Sequence, residues 1–139
     1  MNQIKVFSPA TISNVACGFD VLGFPIYSIG DEMIVKKTKK KSLIITDITG
    51  YSVPYDINKN VSTIAAKAMI ESLNPNCGFD FKINKKIIPG SGIGSSGSSA
   101  AASVYAINKL LDSPLNENEL ISFAMRGEVV SSISEHADN

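Results

Sequence analysis

The sequence predicts an α+β domain, and three observations carry that expectation. Runs that alternate apolar and polar residues fill the first third of the chain, whereas helical spacing dominates after residue 60. A segment of glycines and serines, Pro89–Ser99, stands between a strand-like run and an alanine-rich helical pattern. The chain has 139 residues, 44% of them hydrophobic, which suits one packed unit with a real core. Several strands followed by helices, with a loop passing from strand to helix, give an α+β or split βαβ order.

Each element has its own signal. Gln3–Ser8 alternates, with Ile4 and Val6 on one side, and reads as an opening strand that Pro9 stops. Ala10–Asp20 is rich in small and polar residues and reads as a loop, where Asn14 and Asp20 suit turns. Val21–Ile29 and Glu32–Lys37 read as successive strands with Gly30-Asp31 as the turn between them, and Ser42–Thr49 as another strand. The charge run Lys36–Lys41 then falls at a solvated hairpin end. Asn60 is a good N-cap for a helix over Val61–Leu73, which Asn74-Pro75-Asn76 ends. Cys77–Ile88, alternating at Phe79, Phe81 and Ile83, is a strand running into the glycine segment, and Ser95–Leu111 is the helix after it. Asn116 and Glu119 make a capping box for a last helix of about a dozen residues.

The chemistry concentrates in Pro89, Gly90, Ser91, Gly92, Ile93, Gly94, Ser95, Ser96, Gly97, Ser98 and Ser99. Glycines can take positive φ, and a helix start offers unpaired N–H groups at the positive end of the helix dipole. Together these make an anion site, most often for phosphate. The hydroxyls can add donors, or ligate a hard cation such as Mg²⁺. The P-loop pattern fails, because Ser95 or Ser98 stands where its lysine belongs. Gly92, Gly94 and Gly97 match the dinucleotide pattern, but no strand ending in an acidic residue follows the helix, so that reading is secondary.

Composition narrows the classes further. Thirteen basic and thirteen acidic side chains leave no basic field for nucleic acid. No apolar run is long enough to cross a membrane. Cys17 and Cys77 have no metal spacing and no signal segment precedes them, so reduced thiols in a cytoplasmic protein are expected. The chain closes on His136-Ala137-Asp138-Asn139, its densest polar cluster, whereas domains normally end on expendable residues. An N-terminal portion of a larger protein is therefore expected.

Three stretches carry a family resemblance. Ser8-Pro9-Ala10-Thr11 through Asn14 to Gly18-Phe19-Asp20-Val21-Leu22-Gly23 resembles the first signature of homoserine kinases, in the GHMP small-molecule kinase superfamily. Pro89–Ser96 resembles that superfamily's phosphate loop, and Glu128 with His136–Asn139 resembles the signature before its C-terminal domain. The chain departs from the pattern at Gly97-Ser98, where the family has Ala-Ala, and at Ile133, where it has Gly.

The resemblance implies a GHMP-kinase N-terminal domain of the ribosomal protein S5 domain 2-like fold, a mixed sheet packed with helices, over residues 1–139. It implies Mg²⁺-dependent transfer of the ATP γ-phosphoryl group to the side-chain hydroxyl of L-homoserine, on the route to threonine. Pro89–Ser99 would wrap the ATP phosphates, Ser96 and Glu128 would serve Mg²⁺, and Asn60 and Lys86 would touch the nucleotide. Asn14, Asp20, His136 and Asp138 would line the homoserine site, with Asn139 orienting the reacting hydroxyl as the catalytic group. The family's remaining substrate contacts would lie in a C-terminal domain that this chain does not include. A homodimer is one assembly left open. Another small alcohol as substrate, or a nucleotide-binding module without transfer, are the alternatives.

Overall fold

The computed structural model describes residues 1–128; it contains a four-stranded mixed sheet and three helices. In chain order these are β1 (Gln3–Val15), β2 (Gly18–Thr38), β3 (Leu43–Gly50), α1 (Val61–Leu73), β4 (Gly78–Lys85), α2 (Ser95–Leu110) and α3 (Glu117–Glu128). The sheet order is β1-β2-β4-β3, with β1–β2 and β2–β4 antiparallel and β3–β4 parallel. The α+β expectation holds, and so do the three helices.

The strands depart from expectation in two places. Pro9 does not stop β1, and Gly30-Asp31 is not a turn: β1 and β2 form one long hairpin that turns at Ala16 and Cys17. The expected loop Ala10–Asp20 is mostly strand. Proline lacks an N–H, and here it sits at the register shift between Pro9 and Ala10, where a strand tolerates that loss. Gly30, paired with Pro9, is required by close approach, since a Cβ there would meet the Phe7 ring at 2.4 Å.

The second departure is the Lys36–Lys41 run, which is not a hairpin end. β2 pairs with β4, so the connection to β3 steps across the start of β4. Gly78 makes that step possible: a Cβ at this position would lie 2.1 Å from the Lys40 carbonyl oxygen. Phe79 N donates to Ser42 O (2.8 Å) just beyond it. Gly78→Ala should therefore destabilise the protein by about 1–3 kcal/mol through forced backbone movement, measured by urea unfolding. An unchanged midpoint would show that the crossing has slack.

Alternation sorts the two faces of the sheet. Val6, Met33, Val35, Phe79, Phe81 and Ile83 point toward the helices and are buried, each large side chain contributing roughly 1.5–3 kcal/mol. Ala65, Ala66 and Met69 of α1, with Ala100, Val104, Ile107 and Leu110 of α2, close the core. The small alanines let the helices lie near the strands.

The opposite face mixes charged side chains with exposed Phe7 and Ile44. Glu32 there pairs with Lys5 (3.3 Å) and Lys86 (3.2 Å) and accepts from Asn84 Nδ2 (3.1 Å). The Lys86 contact, then those of Lys5 and Asn84, hold its carboxyl below the ordinary 4.5. A depressed carboxylate stabilises the fold above its unfolded value and loses that contribution as pH falls through the folded one. Glu32→Gln should thus lower the unfolding midpoint at pH 7, and the gap should shrink as pH falls below 4.5; a gap that stays constant into acid would contradict the pairing.

Candidate phosphate-binding site

β4 delivers the chain into the glycine segment and α2 receives it. Gly90, Gly92 and Gly94 have φ of 77°, 76° and 69°, in the left-handed region that glycine enters freely. A Cβ on Gly90 or Gly92 would meet nothing within 4 Å, so their backbone conformation, and not crowding, calls for glycine. Thr11 N donates to Ile93 O (3.1 Å), which ties the loop to the β1–β2 hairpin.

The start of α2 differs from the other two helix starts. Asn60 caps α1, its Oδ1 accepting from Ser62 N (3.0 Å). Asn116 and Glu119 cap α3 reciprocally at 2.8 and 3.1 Å. α2 opens on Gly94 with no side-chain cap. Its first-turn amides and the positive end of its dipole face the exposed glycine loop, which is the arrangement an anion needs.

The serines divide into two sets. Ser95 Oγ donates to Ile87 O (3.3 Å), Ser98 Oγ to Ser8 O (3.0 Å) and Ser99 Oγ to Ser95 O (3.1 Å), and all three residues are buried. Their hydroxyls serve the fold, as does the Ser98 amide, which donates to Gly94 O (2.9 Å); the amides open to a ligand are those at the very start of α2. Ser91 is exposed, and half-buried Ser96 donates its Oγ to Glu128 Oε2 at 2.8 Å. The two residues that the family resemblance assigns to a cation therefore stand together, across 32 positions of chain.

Gly127 explains how Glu128 reaches Ser96. A Cβ there would lie 2.8 Å from Val61 O and 3.2 Å from Ala100 Cβ, so the end of α3 packs closely on the backbone of α1 and on the Ala100 side chain of α2. The first turn of α2 and the last of α3 meet as a result. Among the described residues no three His, Cys, Asp or Glu side chains gather as a metal cage. One carboxylate and one hydroxyl suit Mg²⁺, which keeps waters and takes its other ligands from substrate phosphates.

Beneath the loop lies a cluster that motif reading misses. Asp31 and Lys85 are 1% and 2% exposed and form a buried ion pair. Lys85 Nζ also donates to Ser95 O (2.7 Å) and Ser99 Oγ (2.8 Å), while Asp31 Oδ1 accepts from Lys86 N (2.8 Å) and Ile87 N (2.9 Å). Burial pushes the Lys85 ammonium below its ordinary value, against the opposing pull of Asp31 and, at longer range, of Glu128. The signal for these residues is periodicity. Lys85 continues the inward series Phe79, Phe81, Ile83, and Asp31 heads the inward series with Met33 and Val35.

The remaining expected site residues are scattered. Asn60 is committed to its cap and to Pro54 O (2.7 Å). Lys86 lies on Glu32, on the sheet face away from α2. Asn14 and Asp20 stand on the two arms of the β1–β2 hairpin, near its turn. His136, Asp138 and Asn139 lie outside the described residues.

Comparison with known proteins decides the family. The model of the GHMP kinases N terminal domain matches residues 59–139, more than half of the chain. The chain belongs to the GHMP kinases. As a GHMP kinase N-terminal domain it is 42% identical to a homoserine kinase of Chlorobium phaeobacteroides (strain BS1), over all of this chain and 47% of that protein. It is 36% identical to a homoserine kinase of Methanococcus maripaludis, over all of this chain and 46% of that protein. The crystal structure of a homoserine kinase from Cytophaga hutchinsonii superimposes with a TM-score of 0.93 at 45% identity, over all of this chain and 45% of that one. A mevalonate kinase of L. major, at 22% identity and a TM-score of 0.72, shares the fold. The GHMP chain described here spans about half the length of the curated relatives it matches. Among its described residues no helix is long and apolar enough to cross a membrane.

Proposed function

We propose that this chain forms the nucleotide-binding part, residues 1–139, of a kinase that moves the γ-phosphoryl group of ATP onto the side-chain hydroxyl of L-homoserine, giving O-phospho-L-homoserine on the route to threonine. The observation that carries the reading is the Ser96–Glu128 contact beside the uncapped start of α2. It pairs an anion-binding helix terminus with a carboxylate fit for a divalent cation. The likeness to homoserine kinases along the whole chain supports homoserine as the acceptor.

In this reading the segment Pro89–Ser99 wraps the phosphates of ATP. Ser96 and Glu128 hold Mg²⁺, whose charge offsets that of the phosphates when it is bound. Asp20 pairs with the substrate ammonium, and Asn14, His136 and Asp138 complete its pocket. Asn139, an amide that takes no proton at neutral pH, orients the hydroxyl toward the phosphoryl group. Phosphoryl transfer asks chiefly for positioning and charge neutralisation, and good positioning alone is worth up to roughly 7–11 kcal/mol. The reaction is placed in the cytoplasm.

The test is coupled ADP release by the protein expressed from its gene read to the stop codon, with ATP, Mg²⁺ and a panel of small alcohols. Turnover with L-homoserine far above mevalonate, shikimate and galactose supports the reading. Preference for another alcohol would reassign the substrate and keep the kinase.

A further inference from the structure

The glycine loop is held from below by charge. Asp31 grips the backbone entering the loop, through the amides of Lys86 and Ile87. Lys85 grips the backbone leaving it, through Ser95 O and Ser99 Oγ in the first turn of α2. The ion pair between Asp31 and Lys85 joins the two grips. The loop therefore leaves and rejoins the framework at one buried point, and Thr11 N to Ile93 O ties its span 88–94 to the hairpin, beside the local bonds Ser91 N to Ile88 O and Ser98 N to Gly94 O. A core that needed only stability has a simpler solution. Apolar residues at these inward positions would continue the series on β2 and β4, and a buried ion pair is no better for stability than well-packed hydrophobes.

We propose that Lys85 and Asp31 are positioning residues for the phosphate site: their ion pair sets where the first-turn amides of α2 stand relative to the loop amides, and so sets nucleotide affinity without touching the nucleotide. The proposal rests on the nucleotide-binding reading above. Both side chains are buried under the loop, so neither is a ligand. Among the described residues Lys85 is the residue of β4 that reaches both the Ser95 carbonyl and the Ser99 hydroxyl. Shifting α2 by even an ångström at its start would misplace amides that must converge on the same phosphate oxygens.

The test separates geometry from folding. ADP binding with Mg²⁺ is measured by calorimetry on the protein expressed from its gene read to the stop codon, alongside its unfolding temperature. Three variants are compared: Lys85→Met, the charge-free pair Asp31→Asn/Lys85→Met, and Ser99→Ala. In the charge-free pair the asparagine oxygen can still accept from Lys86 N and Ile87 N while the uncompensated charge is gone, so stability should recover over Lys85→Met. A structural role lowers the binding stoichiometry, because fewer molecules are folded, and leaves Kd alone. A positioning role raises Kd with the stoichiometry near one. We expect Kd for ADP to rise by about tenfold or more in the charge-free pair, and to rise less in Ser99→Ala. Wild-type affinity in a folded charge-free pair would overturn the positioning role and leave the nucleotide site standing. A wild-type protein that binds no ADP would overturn both.

Discussion

Glu128→Gln, in the protein read to its stop codon, is expected to lower kcat/KM by roughly a hundred-fold, the usual scale for losing one group that neutralises developing charge. Glutamine keeps the size of the side chain, and its amide oxygen can still accept from Ser96 Oγ, so the 2.8 Å contact and the seat of α3 survive. What goes is the negative charge that makes this corner attractive to a divalent cation. The Mg²⁺ concentration for half-maximal rate should rise, and excess Mg²⁺ should recover part of the loss. An unchanged Mg²⁺ dependence would place the cation elsewhere.

The largest loss of stability is expected from Asp31→Ala. It strands the Lys85 ammonium in the core with 2% of its surface exposed and removes the acceptor for two backbone amides. Breaking a buried pair in this way typically costs about 3–5 kcal/mol, more than either partner contributes as a pair. Denaturant unfolding reads it directly. Because the stranded charge dominates the loss, the charge-free pair should be markedly more stable than Asp31→Ala. If Asp31→Ala unfolds like wild type, water reaches Lys85 and the pair is not the buried anchor described.

These two variants sit on opposite sides of what the sequence made visible. Ser96 and Glu128 were legible together only through the family resemblance, which names a serine of the glycine loop and the acidic residue of the closing signature for one cation. The helices were legible for local reasons, since Asn60 and the Asn116/Glu119 box mark their starts and the Asn74 turn marks a stop. Strand continuity was not legible. Pro9 and Gly30 read locally as breakers, yet their pairing across a register shift lets each excuse the other. Sheet order was hidden too, because the crossing of the β2–β3 connection over β4 shows only in long-range pairing and in the approach of Lys40 to Gly78. Asp31 and Lys85 were hidden by a habit of reading charge as surface. Their inward phase on β2 and β4 was present in the sequence, but the ion pair exists only once antiparallel pairing sets β2 beside β4.

The proposed activity comes down to one chemical event, formation of a phosphomonoester on the homoserine side chain. ³¹P NMR of the protein with ATP, Mg²⁺ and L-homoserine tests it most directly. The γ-phosphate signal is expected to fall as a new phosphomonoester signal grows in equal amount, matching authentic O-phospho-L-homoserine. Loss of γ-phosphate to inorganic phosphate alone, or a phosphomonoester only when another alcohol replaces homoserine, would contradict it.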